Sequence, residues 1–190
     1  MRMLSVCAHG FILAPIAVVL IYNLLGRDFA RRHFVWFAGA GTVWQLGSAF
    51  AAFALLWRTG GGSYRFSIFW DMNAPGAAYF ELSTLKVFLL LMIGLVSLVS
   101  VLVARQTIDA NRSSYANLLM ILMLGMNGML LVTDLFSLYV FMEVTGICCF
   151  VMIAMFRSRA DLEGAFKYLV MSEMASIFLL TGFAFLFMRT

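Results

Sequence analysis

LYVFMEVTGICCF, residues 138–150, is a run of apolar side chains interrupted by a single carboxylate, Glu143. It lies within a longer apolar segment, 135–156. About 20 mostly apolar residues are enough for an α-helix to cross a bilayer. The segment therefore reads as a membrane span, and Glu143 as an ionisable group held deep inside it.

Composition extends that reading to the whole chain. Of 190 residues, 64% are hydrophobic and 12% charged, and the mean hydropathy is +0.98. A soluble domain of this size carries roughly twice that share of charge, and no water-soluble core could hide so much apolar surface. The expected fold is an all-α integral membrane protein, a single transmembrane domain over residues 1–190. Six spans of about 20 residues are expected, at 8–25, 34–57, 80–104, 116–133, 135–156 and 164–188. Spanning strands would be about 10 residues long with alternating polarity, and no segment has that pattern.

The connections carry the expected punctuation. GRDFARRH (26–33), RQTIDANRSS (105–114) and RSRADLEG (157–164) are polar and each carries at least two arginines. RTGGGSYRFSIFWDMNAPG (58–76) combines a glycine run, Pro75 and alternating aromatics, which predicts a turn or short hairpin outside the bilayer. Asp134 alone separates the fourth and fifth spans. The basic residues follow topology: Arg27, Arg31, Arg32, Arg105, Arg112, Arg157 and Arg159 fall after spans one, three and five. Arg2, Arg58, Arg65, Lys86 and Arg189 fall toward the other side. This asymmetry predicts an outside N-terminus and cytoplasmic arginine-rich loops, in a multi-pass protein of the cell's inner (cytoplasmic) membrane. The net charge of +4 is thus a topology signal, with no nucleic-acid partner expected.

Ionisable groups inside spans are costly and mark function by default. Glu143 lies nine residues after Asp134, roughly 13 Å along a helix, close to the midplane. An unpaired carboxylate there becomes neutral or seeks a cation or water, and either outcome suits a proton carrier; the competing reading is a structural hydrogen bond between helices. Lys167 near the start of span six has two readings. It can pair with Glu163, four residues earlier, or tune the proton affinity of Glu143. Glu173, six residues further on, extends a candidate hydrophilic path. Asp134 reads first as the N-cap of span five, and Glu81 and Lys86 as interfacial, structural charges. Asn127 with Gly125 and Gly128 permits close helix approach and one interhelical hydrogen bond.

No phosphate loop, HExxH or Cys–His cluster is present, and His9 and His33 lie near opposite ends of the first span. Cys7, Cys148 and Cys149 lack metal-ligand spacing, and the adjacent pair reads as two small buried thiols. A stand-alone enzyme using Glu143 and Cys148 fails because five residues separate them, off a shared helical face. No cofactor, metal or catalytic chemistry is expected in this chain.

Residues 134–187, from DLFSLYVFMEVTG to LLTGFAFLF, resemble the antiporter-like membrane subunits of respiratory complex I, Mrp-type sodium/proton antiporters and energy-converting hydrogenases. The shared elements are Asp134, the aromatic run 138–141, Met142-Glu143, the basic loop 157–159 and Lys167-Tyr168; segment 77–104, with Glu81 before Leu82-Ser83, resembles the family's third span. Met142 stands where the family commonly has Trp. The resemblance implies that Glu143 corresponds to the essential glutamate of span five and Lys167 to the lysine of span six. It implies a proton- or cation-translocating subunit, or the N-terminal part of one, in a redox-driven (NADH:quinone or hydrogenase type) or antiporter complex. The alternative is a non-conducting membrane anchor derived from the same family. Family members have about fourteen helices in two inverted five-helix repeats, with a key lysine in span seven. The six spans here match only the start of the first repeat, so another chain or segment is expected to supply the later helices.

Overall fold

The computed structural model describes residues 2–24, 27–58, 62–67, 79–108 and 112–189. Among these residues the chain forms six helices: α1 (Arg2–Leu24), α2 (Arg27–Arg58), α3 (Thr84–Thr107), α4 (Arg112–Leu131), α5 (Leu135–Ala154) and α6 (Arg159–Arg189). Each contains a stretch long and apolar enough to cross a membrane. The all-α, six-span expectation holds, and the boundaries move where local chemistry dictates.

Residues 27–33, expected as a connection, are helical; a backbone break at His33 (φ −113°, ψ 17°) sets them off from the span Val35–Arg58. The third span starts at Thr84 rather than 80. Ser83 is extended, its hydroxyl accepts the Lys86 backbone N–H, and Glu81 lies on a strand before the helix. The sixth starts at Arg159 rather than 164, because Ser158 and Asp161 exchange hydrogen bonds between side chain and backbone. That reciprocal cap satisfies two otherwise orphan N–H groups.

The expected hairpin is present. Strands β1 (Tyr64–Phe66) and β2 (Phe80–Leu82) pair antiparallel, with Tyr64 opposite Leu82. The return strand lies beyond residue 76, and the predicted Pro75 turn lies outside the described residues. Phe80 also bridges to Val132, and the Thr133 hydroxyl donates to the Tyr79 carbonyl at 2.7 Å. The hairpin is thereby tied to the junction between α4 and α5.

Two apolar clusters fill the bundle of α1–α4. Phe11, Ala49, Leu82, Leu90 and Leu131 belong to the one at the hairpin end, and Tyr22, Ala38, Val101, Met120 and Met123 to the other. On α2 and α4 one buried carboxamide each falls between them in sequence, Gln45 and Asn127. Gln45 and Asn127, both buried, form a reciprocal amide pair with two hydrogen bonds of 3.0 Å. Asn127 also donates to the Phe11 carbonyl at 2.8 Å, and Gln45 to the Leu90 carbonyl at 3.3 Å. Four helices meet at these two carboxamides. Helix α5 packs on α4, and α6 on α5, so the last two helices form a peripheral layer. Only 6% of either span is buried inside the chain, against 28–44% for the first four.

Replacing Gln45 by Ala strands the Asn127 amide in an apolar surround and is expected to cost about 1–2 kcal/mol. The double replacement Gln45→Leu with Asn127→Leu removes both partners and is expected to cost less than the two single changes added together. Thermal unfolding in mild detergent checks both.

Candidate functional site

The site is built on α5, and α5 is placed by α4. A Cβ on Gly125 would overlap the Thr145 hydroxyl, and one on Gly128 would overlap the Phe141 ring. The two helices therefore approach at these glycines as closely as their backbones permit, as small-residue helix contacts in membranes do. The start of α5 is fixed by Asp134, whose Oδ2 accepts the Ser137 N–H at 2.7 Å. The N-cap role expected of Asp134 is the one it plays, and an acid there also complements the helix dipole. Its other oxygen, Oδ1, is buried with no hydrogen-bond partner among the described residues. Phe80 of β2 stacks edge-on against Phe141 (centroids 6.4 Å apart), bracing the first turns of α5 from the hairpin side.

Glu143 is half-buried, and its Oε1 is likewise buried without a partner among the described residues. One helical turn earlier, Tyr139 stands beside Glu143 and within electrostatic reach of Glu173 on α6. Three ionisable groups thus gather along one seam between α5 and α6. Further along that seam, Tyr168 reaches Cys149, while Cys148 is buried; both thiols are free.

The other predicted charges sit elsewhere. Lys167 Nζ lies 2.6 Å from Glu163 Oε1, with both side chains mostly exposed. Of the two readings of Lys167, the geometry gives the i,i+4 pair; among the described residues no ion pair joins it to Glu143. Glu81 pairs across the hairpin with Arg65 at 3.9 Å, and the Arg65 guanidinium lies over the Tyr79 ring, 5.0 Å from its centre. Lys86 occupies the first turn of α3 and has no ion pair with Glu81 among the described residues. Glu81, Lys86 and Asp134 therefore share the hairpin end of the bundle, apart from the seam that carries Glu143, Tyr139 and Glu173.

Two residues were missed by the sequence reading. Gln45 is a lone carboxamide inside an apolar span, a signal of interhelical bonding. Tyr139 lies four residues before Glu143, which puts the two on one helical face.

Comparison with known proteins matches this architecture. Residues 132–190 match the family described as NADH:quinone oxidoreductase/Mrp antiporter, TM. A Na(+)/H(+) antiporter subunit of Alkalihalophilus pseudofirmus is 29% identical over 122 residues, which are 63% of this chain and 25% of that protein. An NADH-quinone oxidoreductase subunit of Leptospira biflexa is 28% identical over 131 residues, 64% of this chain and 27% of that protein. The chain is similar in sequence to antiporter-like membrane subunits, and its residues 132–190 match their family. It spans about a quarter of the length of these curated relatives. Solved structures extend the likeness in fold to the first two helices. A chain of the Mrp complex from Dietzia sp. DQ12-45-1b superposes on all of it with a TM-score of 0.83 at 23% identity, covering 35% of that chain. A chain of the archaeal membrane-bound sulfane sulfur reductase superposes on 96% of it with a TM-score of 0.76, covering 36%.

Gly128→Ala forces the Phe141 ring away from α4 and is expected to lower stability by roughly 1–3 kcal/mol. Gly39→Ala, at a position where a Cβ would meet no atom within 4 Å, is the neutral control. Unfolding midpoints of the two variants in one detergent test the difference. Asp134→Ala removes the cap of α5 and is expected to cost about 1 kcal/mol by the same measurement.

Proposed function

We propose that this chain translocates protons, or cations in their place, as a subunit or part of a subunit of a multisubunit redox-driven or antiporter complex in the inner membrane. Glu143 is the exchanging group. The observation that carries this reading is the Oε1 of Glu143, buried and without a partner among the described residues, nine residues and roughly 13 Å into an apolar span. Leaving a carboxylate oxygen unsatisfied in a low-dielectric interior is costly. Asp134 does so at a helix junction while capping α5 with its other oxygen, whereas Glu143 does so in the middle of an apolar span and caps no helix. A group that alternately binds and releases a proton keeps an oxygen available for it. Tyr139 and Glu173 stand where they extend a polar path from Glu143 toward α6. Lys167, held by Glu163, acts on that path once it leaves the pair, its charge then favouring the ionised form of Glu143.

The chain works alongside other membrane polypeptides. Glu173 is exposed on α6, fourteen residues and about 21 Å from the start of that helix. A carboxylate at that depth does not face acyl chains, because charged groups inside a membrane turn toward protein or water. Protein from a further chain or segment covers this face and encloses the path. Redox chemistry, where it drives the complex, belongs to partner subunits.

The isosteric change Glu143→Gln keeps the shape and removes the titrating proton. Proton uptake coupled to the driving reaction of the intact complex is expected to fall at least tenfold, with assembly on native gels unchanged. Undiminished translocation by an assembled Glu143→Gln complex would sink the proposal, and loss of assembly would leave the anchor reading in its place.

A further inference from the structure

Helices α5 and α6 run antiparallel, and their contacts fix a register. A Cβ on Gly164 would stand 4.0 Å from the Ile153 side chain. Cys149 meets Tyr168, and Gly146 faces the Ser172 hydroxyl. Tyr139, beside Glu143, lies within electrostatic reach of Glu173. As far as Ser172 the steps are three or four residues on each helix, the spacing of one helical face.

The polarity of this seam is one-sided. From Glu143 toward the connection at 155–158 it carries Gly146, Ser172, Cys149 and Tyr168, and the exposed Lys167–Glu163 pair stands beyond them. In the other direction, past the buried Ser176, the positions of α6 level with the first turn of α5 are Leu179 and Phe183. Glu143 is eleven residues, about 16 Å, from the last residue of α5, Ala154. On its other flank α5 is closed against α4, because a Cβ on Gly125 or Gly128 would overlap Thr145 or Phe141.

Gly146 differs from those two glycines. Beyond its own helix backbone and chain neighbours, a Cβ there would meet one atom within 4 Å, the Ser172 hydroxyl oxygen at 3.4 Å. That is an ordinary contact, so packing does not require a glycine. Glycine also weakens a helix interior relative to alanine. What the missing side chain leaves is an opening between bare α5 backbone and a hydroxyl, one helical turn from Glu143. Water enters such an opening only where polar partners hold it. The Ser172 hydroxyl and the Glu143 carboxylate are the partners on hand.

We propose that water reaches Glu143 along the α5–α6 seam from the end carrying the 155–158 connection, through a passage that Gly146 and Ser172 form beside the carboxylate. Gly146 is a positioning residue that acts by what it leaves open. The use of this route for proton exchange rests on the reading of Glu143 given above, whereas the wetness of the seam is measurable without it.

Two measurements on the intact complex test the route. The first uses a background of Cys7→Ala, Cys148→Ala and Cys149→Ala, to which Ser172→Cys or Met171→Cys is added. Met171 is 70% exposed in this chain but lies off the seam, and Ser172 is half-buried on it. Aminoethyl methanethiosulfonate attacks thiolates, which form in water, so Ser172→Cys is expected to react roughly tenfold faster than Met171→Cys. Equal rates, or a faster Met171→Cys, overturn the proposal. The second needs no cysteine replaced. Gly146→Ala fills the opening at ordinary contact distance, so the unfolding temperature in mild detergent is expected to hold or rise. Proton uptake is nonetheless expected to fall about fivefold. Unchanged uptake overturns the passage, and a lowered unfolding temperature or lost assembly makes Gly146 a packing residue and overturns it too. Fast Ser172→Cys labelling with normal uptake by Glu143→Gln would support the wet seam and remove the exchange reading. Slow labelling with uptake abolished in Glu143→Gln would keep that reading and overturn the route.

Discussion

Four consecutive residues of α4, Gly125-Met126-Asn127-Gly128, hold the arrangement together. Asn127 binds Gln45 and the Phe11 carbonyl, and Gln45 in turn reaches the Leu90 carbonyl. Gly125 and Gly128 give α5 its closest approach, against Thr145 and Phe141. Lipid supplies no hydrophobic force that favours one helix pairing over another, since acyl chains are as apolar as leucine. Geometry therefore comes from directional bonds and from small residues that let backbones meet. One stretch of α4 supplies both. The carboxamide fixes the register of four helices, and the glycines seat the fifth.

This division explains why the ionisable groups lie where they do. The core of α1–α4 satisfies its buried polar groups internally and has the character of a scaffold. The seam of α5 and α6 is unfinished by comparison: among the described residues one oxygen of Glu143 has no partner, and Glu173 and the Lys167–Glu163 pair face outward. A rigid support beneath a polar, incompletely satisfied layer can hold a titrating group at fixed depth while leaving its proton exchangeable. The hairpin contributes at one end, where Phe80 and Tyr79 clasp the α4–α5 junction. Glu81 and Arg65 stabilise that clasp from outside the seam.

Much of the candidate site was legible because the cost of a charge in hydrocarbon is so large. Glu143 announced itself as a lone carboxylate in an apolar run, and Asp134 as an acid placed to cap the next helix. Lys167 was ambiguous for a physical reason. A lysine four residues after a glutamate pairs locally at little entropic expense, while any distant role depends on neighbours that sequence spacing does not locate. Tyr139 shares a helical face with Glu143, yet an aromatic residue in an apolar run has the appearance of packing. Only its juxtaposition with Glu173 across α6 makes it part of the polar seam.

The sequence by itself determined six helical spans, the Asp134 cap, the position of Glu143 along its helix and the resemblance to antiporter-like subunits. Each of these follows from local quantities: hydrophobic length, a capping oxygen, a rise per residue and an ordered motif. The tertiary structure decided which polar groups meet. It joined Gln45 to Asn127 over 82 residues of chain, set Glu81 on a strand opposite Arg65, and brought Gly146 to face the Ser172 hydroxyl on α6. Such pairings depend on which helix faces which neighbour, and uniform apolar surfaces leave that choice to a few polar contacts and glycines whose partners are distant in the chain.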